Sequence, residues 1–143
     1  MHLNNSFKIY NASAGSGKTF NLVKEYLILL LTSGNDDAYK NILAITFTNK
    51  AVNEMKSRIV ERLIEFSDKE KINKNSAIIK EIIKETKLSV NTINIKSDQI
   101  LKHLLKNYAA FEISTIDKFT QRIVRSFSYE LNIDSKYEVE IDE

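Results

Sequence analysis

Residues Asn11–Phe20 read NASAGSGKTF, and this stretch determines how the rest of the chain is interpreted. The 143-residue chain has only three glycines, and two of them, Gly15 and Gly17, stand one residue apart here. Lys18 and Thr19 follow at once. Glycine lets a backbone turn tightly and approach another group closely, so the stretch predicts a sharp turn whose N–H groups point inward.

The segments that flank this loop predict a strand before it and a helix after it. Phe7–Ala12 alternates apolar and polar residues, as a strand does. Thr19–Leu31 has the length of a helix and is apolar on nearly every side, so we expect a buried helix that ends at Gly34. Ile42–Phe47 is a short continuous apolar run, which predicts a strand covered on both faces.

A second helix should follow that strand. Thr48 or Asn49 can cap it, and apolar residues then recur at helical spacing. These residues are Val52, Met55, Ile59, Leu63 and Phe66. Strands and helices in this order predict parallel strands joined by right-handed helical crossovers, hence a three-layer α/β domain.

Residues 67–110 interrupt the alternation and predict a helical insertion. Isoleucines 78–83 form one amphipathic patch, and apolar residues 100–108 form a second one after Ser97, which we expect to be its cap. The Asn- and Lys-rich middle is expected to be mobile. The alternation then resumes with a strand at Phe111–Thr115 and a helix. The apolar residues of that helix are Ile116, Phe119, Ile123 and Phe127.

The loop has the chemistry of a phosphate cradle. Its N–H groups can converge on an anion, and the helix that begins at about Lys18 aims the positive end of its dipole at the same point. Lys18 would reach the β- and γ-phosphates, and the Thr19 hydroxyl would ligate Mg²⁺. The general pattern G-x-x-x-x-G-K-S/T has glycine where this chain has the small residue Ala12. The predicted nucleotide-binding residues are Ala12, Ser13, Ala14, Gly15, Ser16, Gly17, Lys18 and Thr19.

The composition argues against several other kinds of site. The absence of cysteine excludes disulfides, thiolate metal sites and a cysteine nucleophile. Only His2 and His103 carry imidazoles, and they are far apart in sequence, so no imidazole metal site is expected. No run of about eighteen apolar residues could span a membrane, and the first residues do not resemble a signal peptide, so a cytoplasmic location without membrane contact is expected. The net charge of +2 is too small to predict a nucleic-acid partner by itself.

Two later motifs indicate which kind of nucleotide-binding protein this is. TFTNKAVNEMKSRI occupies Thr46–Ile59, and STIDKFTQRIVRSF occupies Ser114–Phe127. Together with ASAGSGKT at Ala12–Thr19, and in this order, they resemble the UvrD/Rep-type superfamily 1 DNA helicases, and more closely the helicase-nuclease proteins of the AddA and RecB kind. The resemblance implies a P-loop NTPase (RecA-like) three-layer sandwich with a parallel sheet, here incomplete. Residues 1–143 would then be the N-terminal part of motor domain 1A, with the insertion at about 67–110.

The resemblance also implies ligands, namely ATP with Mg²⁺ and single-stranded DNA, and an activity in DNA recombination and repair. Both later motifs are expected at the carboxyl ends of strands, where ligands of α/β sheets bind. An aromatic ring can stack on a base, and hydroxyl, amide and lysine groups hold phosphates. The family implies DNA contacts for Phe47, Thr48, Asn49, Lys50, Thr115 and Phe119, and positive charge adds Arg122. Phe47 and Phe119 equally suit a core position, since aromatic residues are often buried.

No complete catalytic set is predicted. A hydrolase of this class needs an acidic pair after an apolar strand, to hold Mg²⁺ and to position the attacking water. The late acidic residues Asp142 and Glu143 follow a segment that alternates, which does not fit. The chain is therefore expected to be a piece of a larger helicase that binds nucleotide weakly and does not unwind DNA alone. Its expected partners are another protein of a helicase-nuclease complex and, because a truncated sheet leaves unpaired strand edges, further copies of itself.

Two alternatives remain open at this point. A P-loop kinase of a small substrate would explain the glycine loop but would leave TFTNKAVNEMKSR without a role. A non-catalytic interaction module that binds a nucleotide is the second alternative. Oligonucleotide binding would separate both from a helicase.

Overall fold

The computed structural model describes residues 8–10, 17–72 and 76–132, and the structural statements below refer to those residues. The helices are α1 (Lys18–Thr32), α2 (Asn49–Ser67), α3 (Ala77–Thr86), α4 (Val90–Lys106) and α5 (Ile116–Ser126). The strands are β1 (Ala44–Thr46) and β2 (Ile113–Thr115), and short 3-10 helices occur at Ala38–Asn41 and Tyr108–Ala110.

The two strands form a parallel pair. Ala44 lies opposite Ile113, and Thr46 lies opposite Thr115. Parallel strands need a crossover connection, and α2, α3 and α4 supply it between β1 and β2. The predicted parallel pairing is therefore confirmed for these two strands, and α2 and α5 both begin at the same edge of the sheet.

Helix α2 is the centre of the core. It packs against α4 and α1 and lies on both strands. Thr48 caps it, because the Thr48 hydroxyl accepts a hydrogen bond from the Ala51 N–H at 3.1 Å. Four residues of the predicted stripe are buried and Val52 is half-buried, so the predicted helix and its apolar face are confirmed. The buried residues of the stripe are Met55, Ile59, Leu63 and Phe66.

Both strand predictions around the loop need correction. Lys8–Tyr10 forms no strand, and the other residues of the predicted strand Phe7–Ala12 lie outside the described residues. The strand predicted at Ile42–Phe47 is confirmed over three residues, but it is not covered on both faces. Ala44 is buried, whereas Ile45 points to the opposite face of the pleat and is 40% exposed. The described helices cover one face of this strand, where two covering layers were expected.

Two helices, α3 and α4, lie within residues 67–110, and α4 starts earlier than expected. Its cap is Ser89, whose hydroxyl accepts a hydrogen bond from the Thr92 N–H at 3.1 Å. The prediction that Ser97 is the cap was wrong, because Ser97 lies in the middle of α4 and is fully buried. Ile93, Ser97 and Ile100 share the buried face at helical spacing, so the Asn- and Lys-rich stretch before Ser97 forms the first half of the helix.

Helix α5 has a clear apolar face, and that face is largely exposed. No residue of α5 is buried, and Phe119 is half-buried. The exposed apolar residues are Ile116, Ile123 and, just after the helix, Phe127.

Candidate functional site

The last residue of the glycine loop has the backbone conformation of a phosphate cradle. Gly17 has φ 82° and ψ 17°, in the left-handed region, and it is the N-terminal cap of α1. Its carbonyl accepts a hydrogen bond from the Asn21 N–H at 2.9 Å, so the first turn of α1 starts directly at this glycine. A Cβ atom at Gly17 would meet nothing within 4 Å, so the requirement for glycine comes from the backbone angle. The preceding candidates, Ala12 to Ser16, lie outside the described residues.

Lys18 and Thr19 form the start of α1 and face open space. Lys18 is exposed, Thr19 is half-buried, and the first turn of α1 carries no acidic side chain that would repel an anion. A cavity of about 290 Å³ is lined by Gly17, Lys18, Thr19, Phe20 and Arg58. Arg58 belongs to α2, so a second helix contributes a positive charge to this cavity, although its guanidinium is also paired with Glu54 at 2.7 Å.

A buried lysine joins α1 to α3. Lys24 is only 5% exposed, and its ammonium lies 2.6 Å from Glu85, 3.2 Å from Glu81 and 3.5 Å from Glu25. Burial alone would lower the pKa of Lys24, but the hydrogen bonds to Glu85 and Glu81 outweigh it and hold the pKa above its usual value. The lysine is therefore charged, and it is neutralised by carboxylates from two helices.

The segment before the loop contacts the same network. The Lys8 ammonium lies 2.9 Å from Glu25, and the Tyr10 hydroxyl donates to Glu25 at 2.6 Å. Burial would raise the pKa of Glu25, but the hydrogen bonds from Tyr10 and Lys8 outweigh it and lower the pKa. The chain just before the loop and the helix just after it are thus tied to each other at Glu25.

The second motif and the third motif meet at the end of the strand pair. Thr48 caps α2 after β1, and Thr115 caps α5 after β2 by accepting a hydrogen bond from the Lys118 N–H at 3.3 Å. Because β1 and β2 are parallel and paired, both caps lie at the same edge. The Lys118 ammonium donates to the Asn49 carboxamide oxygen at 2.8 Å, which joins the first turns of the two helices directly.

The predicted DNA-contacting residues have different surroundings at this edge. Phe47 is 85% exposed and is followed by three exposed polar residues, Thr48, Asn49 and Lys50. Thr115 is buried, and its hydroxyl is used as the cap of α5.

Two further candidates lie on α5. Phe119 is half-buried beneath the guanidinium of Arg122, which lies 5.7 Å from its ring centroid. Arg122 is exposed and also pairs with Glu112 at 2.9 Å. The edge therefore gathers Phe47, Asn49 and Lys50 at the surface, whereas Thr115 and Phe119 are partly or fully covered.

Three features of the site were not predicted from the sequence. They are the Lys24 network, the approach of Arg58 to Lys18, and the bond between Asn49 and Lys118. Each joins elements more than thirty positions apart in the sequence, where local periodicity carries no information. The only signal in the sequence was the presence of a lysine within an otherwise apolar helix, which calls for a buried partner.

Two other kinds of feature are absent from the described residues. No group of three or more His, Asp or Glu side chains there could hold a metal ion. No helix in the described ranges is long and apolar enough to cross a membrane. Asp142 and Glu143, the candidates for an acidic pair, lie outside the described residues.

Comparisons with known proteins agree on one family. The chain is 32% identical over 135 residues to an ATP-dependent helicase/nuclease protein of Lactobacillus johnsonii, covering 94% of this chain and 9% of the relative. It is 34% identical over 129 residues to the protein of the same name from Bacillus cytotoxicus, covering 90% of this chain and 8% of the relative. A shorter match, 52% identical over 52 residues, is to the RecB component of the RecBCD enzyme of Chlamydia muridarum and covers 36% of this chain and 5% of the relative.

The chain thus spans less than a tenth of the length of these relatives. No solved structure gives a significant match. The profile of the UvrD/REP helicase N-terminal domain matches residues 1–143, which is the whole chain. With the glycine loop and the two motifs in the expected order, the chain belongs to the UvrD/REP helicase N-terminal domain family.

Proposed function

We propose that the chain is the ATP-binding part of an ATP-dependent DNA helicase or helicase-nuclease that acts in DNA recombination and repair. The observation that carries this proposal is the parallel pairing of β1 with β2, which brings the starts of α2 and α5 to one edge. At this edge the exposed residues Phe47, Asn49 and Lys50 offer one aromatic ring and two polar groups. Such a combination suits a strand of nucleic acid with unstacked bases better than a small metabolite.

ATP would bind at the start of α1. Gly17 has the left-handed backbone that a phosphate loop needs, and the cavity beside Lys18 and Thr19 has a second positive group in Arg58. These groups fit a triphosphate, since all of them are donors or cations. Lys18 would hold the β- and γ-phosphates, and the Thr19 hydroxyl would hold Mg²⁺, which neutralises phosphate charge during transfer. The remaining proposed contacts are Ala12, Ser13, Ala14, Gly15 and Ser16.

Single-stranded DNA would bind along the edge where α2 and α5 begin. Phe47 would stack on a base, and Thr48, Asn49 and Lys50 would contact phosphates. Arg122 would add a phosphate contact from α5. Thr115 and Phe119 would act mainly by fixing the start of α5 and supporting Arg122, because their side chains are covered.

In this proposal residues 1–143 are the N-terminal part of motor domain 1A, with a P-loop three-layer sandwich and a helical insertion at about 67–110. Hydrolysis would need an acidic pair supplied by further sequence, so the 143 residues alone would bind ligands with little ATPase and no unwinding activity. Another protein of a helicase-nuclease complex would be the natural partner of the whole protein.

Two titrations of the purified chain test the proposal. A fluorescent ATP analogue with Mg²⁺ should bind, and Lys18→Ala should abolish that binding while leaving the affinity for labelled oligo(dT) intact. Lys50→Ala should do the reverse, weakening oligo(dT) binding about fivefold at ~0.1 M salt because one phosphate contact is lost. Lys84→Ala is the matched control, since Lys84 is an exposed lysine on α3, away from both sites.

The outcomes separate the competing functions. Nucleotide binding without oligo(dT) binding would favour a small-substrate kinase or an interaction module over a helicase. Strong DNA-stimulated ATP hydrolysis by the 143 residues alone would contradict the proposed need for an acidic pair from further sequence.

A further inference from the structure

The hydrogen bond between Lys118 and Asn49 leaves an arrangement that exposes only donors. The Lys118 ammonium can only donate, so the carboxamide oxygen of Asn49 must face it, as the 2.8 Å contact shows. That oxygen is the one side-chain acceptor of the pair. What remains free is the NH₂ group of Asn49 and two N–H bonds of the ammonium, a set that suits an anion and no other ligand class.

The charge of Lys118 is also not neutralised locally. Three arginines on α2 and α5 each have a carboxylate partner: Arg58 pairs with Glu54, Arg62 with Glu65, and Arg122 with Glu112. Within the described ranges, Lys118 has a neutral carboxamide as its partner in place of a carboxylate. The exposed Asp117 precedes it on the same turn and is the one acidic side chain there. An exposed bond to a neutral amide costs little to exchange, so the ammonium keeps its full attraction for an incoming anion.

Space is available beside Lys118. A cavity of about 480 Å³ runs along α5 and is lined by Lys118, Gln121, Arg122, Arg125 and Ser126. All of these side chains are polar or positively charged. On the other side of the pair, Phe47 is exposed next to Thr48 and Asn49. A ligand that contacts the pair can therefore reach a row of polar groups in one direction and an aromatic ring in the other.

We propose that Lys118 binds a backbone phosphate of single-stranded DNA and that Asn49 positions it. This inference rests on the proposed function and adds a residue to its DNA-binding edge. A ligand with both phosphates and unpaired bases uses the free donors and the exposed ring at once, whereas a free nucleotide would have its own site at Lys18. Lys118 also links the two motifs, so DNA bound at α2 is held by α5 as well.

The test is the salt dependence of oligo(dT) binding by the chain, measured by fluorescence anisotropy. Lys118→Gln should weaken binding about fivefold at ~0.1 M salt and reduce the slope of log K against log salt by about 0.7, the value for one single-strand phosphate contact. Lys118→Arg should keep most of the affinity and the slope, because the charge is retained. Lys84→Gln is the matched control and should leave both unchanged, since it removes the same charge from α3.

Asn49→Ala probes the positioning role. If Asn49 holds the ammonium in place, Lys118→Gln should cost less in the Asn49→Ala background than in the original chain. A Lys118→Gln variant that melts at a lower temperature but keeps the original salt slope would show a purely structural bond and overturn the inference. In that case the binding of oligo(dT) by the original chain would leave the proposed function standing. Failure of the original chain to bind oligo(dT) would overturn both.

Discussion

At the scale of single residues, two glycines of the chain can be compared directly. Gly17 has φ 82°, and Gly34 has no positive φ, while a Cβ added at either position would meet no atom within 4 Å. Gly17→Ala should therefore lower the free energy of unfolding by about 1–2 kcal/mol, the cost of the left-handed conformation for a residue with a Cβ. Gly34→Ala is the matched control and should be neutral or stabilise by up to about 1 kcal/mol, because it restricts the unfolded chain. Urea denaturation followed by circular dichroism measures both, and equal effects would contradict the explanation.

Residue-level prediction worked where chemistry follows from adjacent positions. Lys18 and Thr19 are recognisable because a lysine and a hydroxyl follow a glycine pair, and the start of α1 at Lys18 agrees with that pattern. The Asn49–Lys118 bond was not predictable, since 69 positions separate the partners and only the pairing of β1 with β2 brings them together. A pattern search finds the first kind of residue and misses the second.

At the scale of elements, Asn94 connects two helices. It is buried on α4, and its side-chain NH₂ group donates to the Phe66 carbonyl at 2.9 Å, in the last turn of α2. Asn94→Ala should destabilise the chain by about 1–3 kcal/mol, because the carbonyl is left buried without a donor. Asn91→Ala on the exposed face of the same helix should change stability by less than about 0.5 kcal/mol. Thermal unfolding of the two variants distinguishes them, and a similar small effect of both would contradict a structural role for the Asn94 bond.

Element prediction depended on how clear the boundaries were. Helix α2 was predicted correctly because Thr48 gives a cap and the apolar stripe that follows has one period. Helix α4 was predicted to start too late, because Ser89 and Ser97 are both suitable caps and only burial decides between them. Its buried face includes Asn94 and Ser97, two polar residues that a search for apolar periodicity ignores.

At the scale of the whole molecule, the exposed apolar surface predicts self-association. Each strand of the described sheet has one side without a partner strand, and α5 exposes Ile123 next to Phe127. Light scattering should give a mass that rises above 16.5 kDa as the concentration increases. Ile123→Lys should lower the association without unfolding the chain, because the residue is 42% exposed. A constant monomer mass at all concentrations would contradict this prediction.

The order of strands and helices was sufficient to predict the parallel pairing of β1 and β2, because two such strands need a crossover and the sequence supplies helices between them. It was not sufficient to predict how many faces of the sheet are covered. Ile45 is as apolar as a fully buried strand residue, yet it is 40% exposed, since its cover would come from other layers and not from its neighbours in sequence. Coverage is a property of the assembled layers and is not written in a local pattern.

The Lys24 network has a consequence for the alignment of α3 along α1. Glu81 and Glu85 are one helical turn apart and both reach the same ammonium, at 3.2 and 2.6 Å. A shift of α3 by one residue would rotate both carboxylates away by about 100°, and the buried charge would lose its partners. A row of isoleucines could tolerate such a slip, because one aliphatic contact replaces another. The single lysine thus acts as an index mark that allows one register between the helix after the glycine loop and the helix that follows α2.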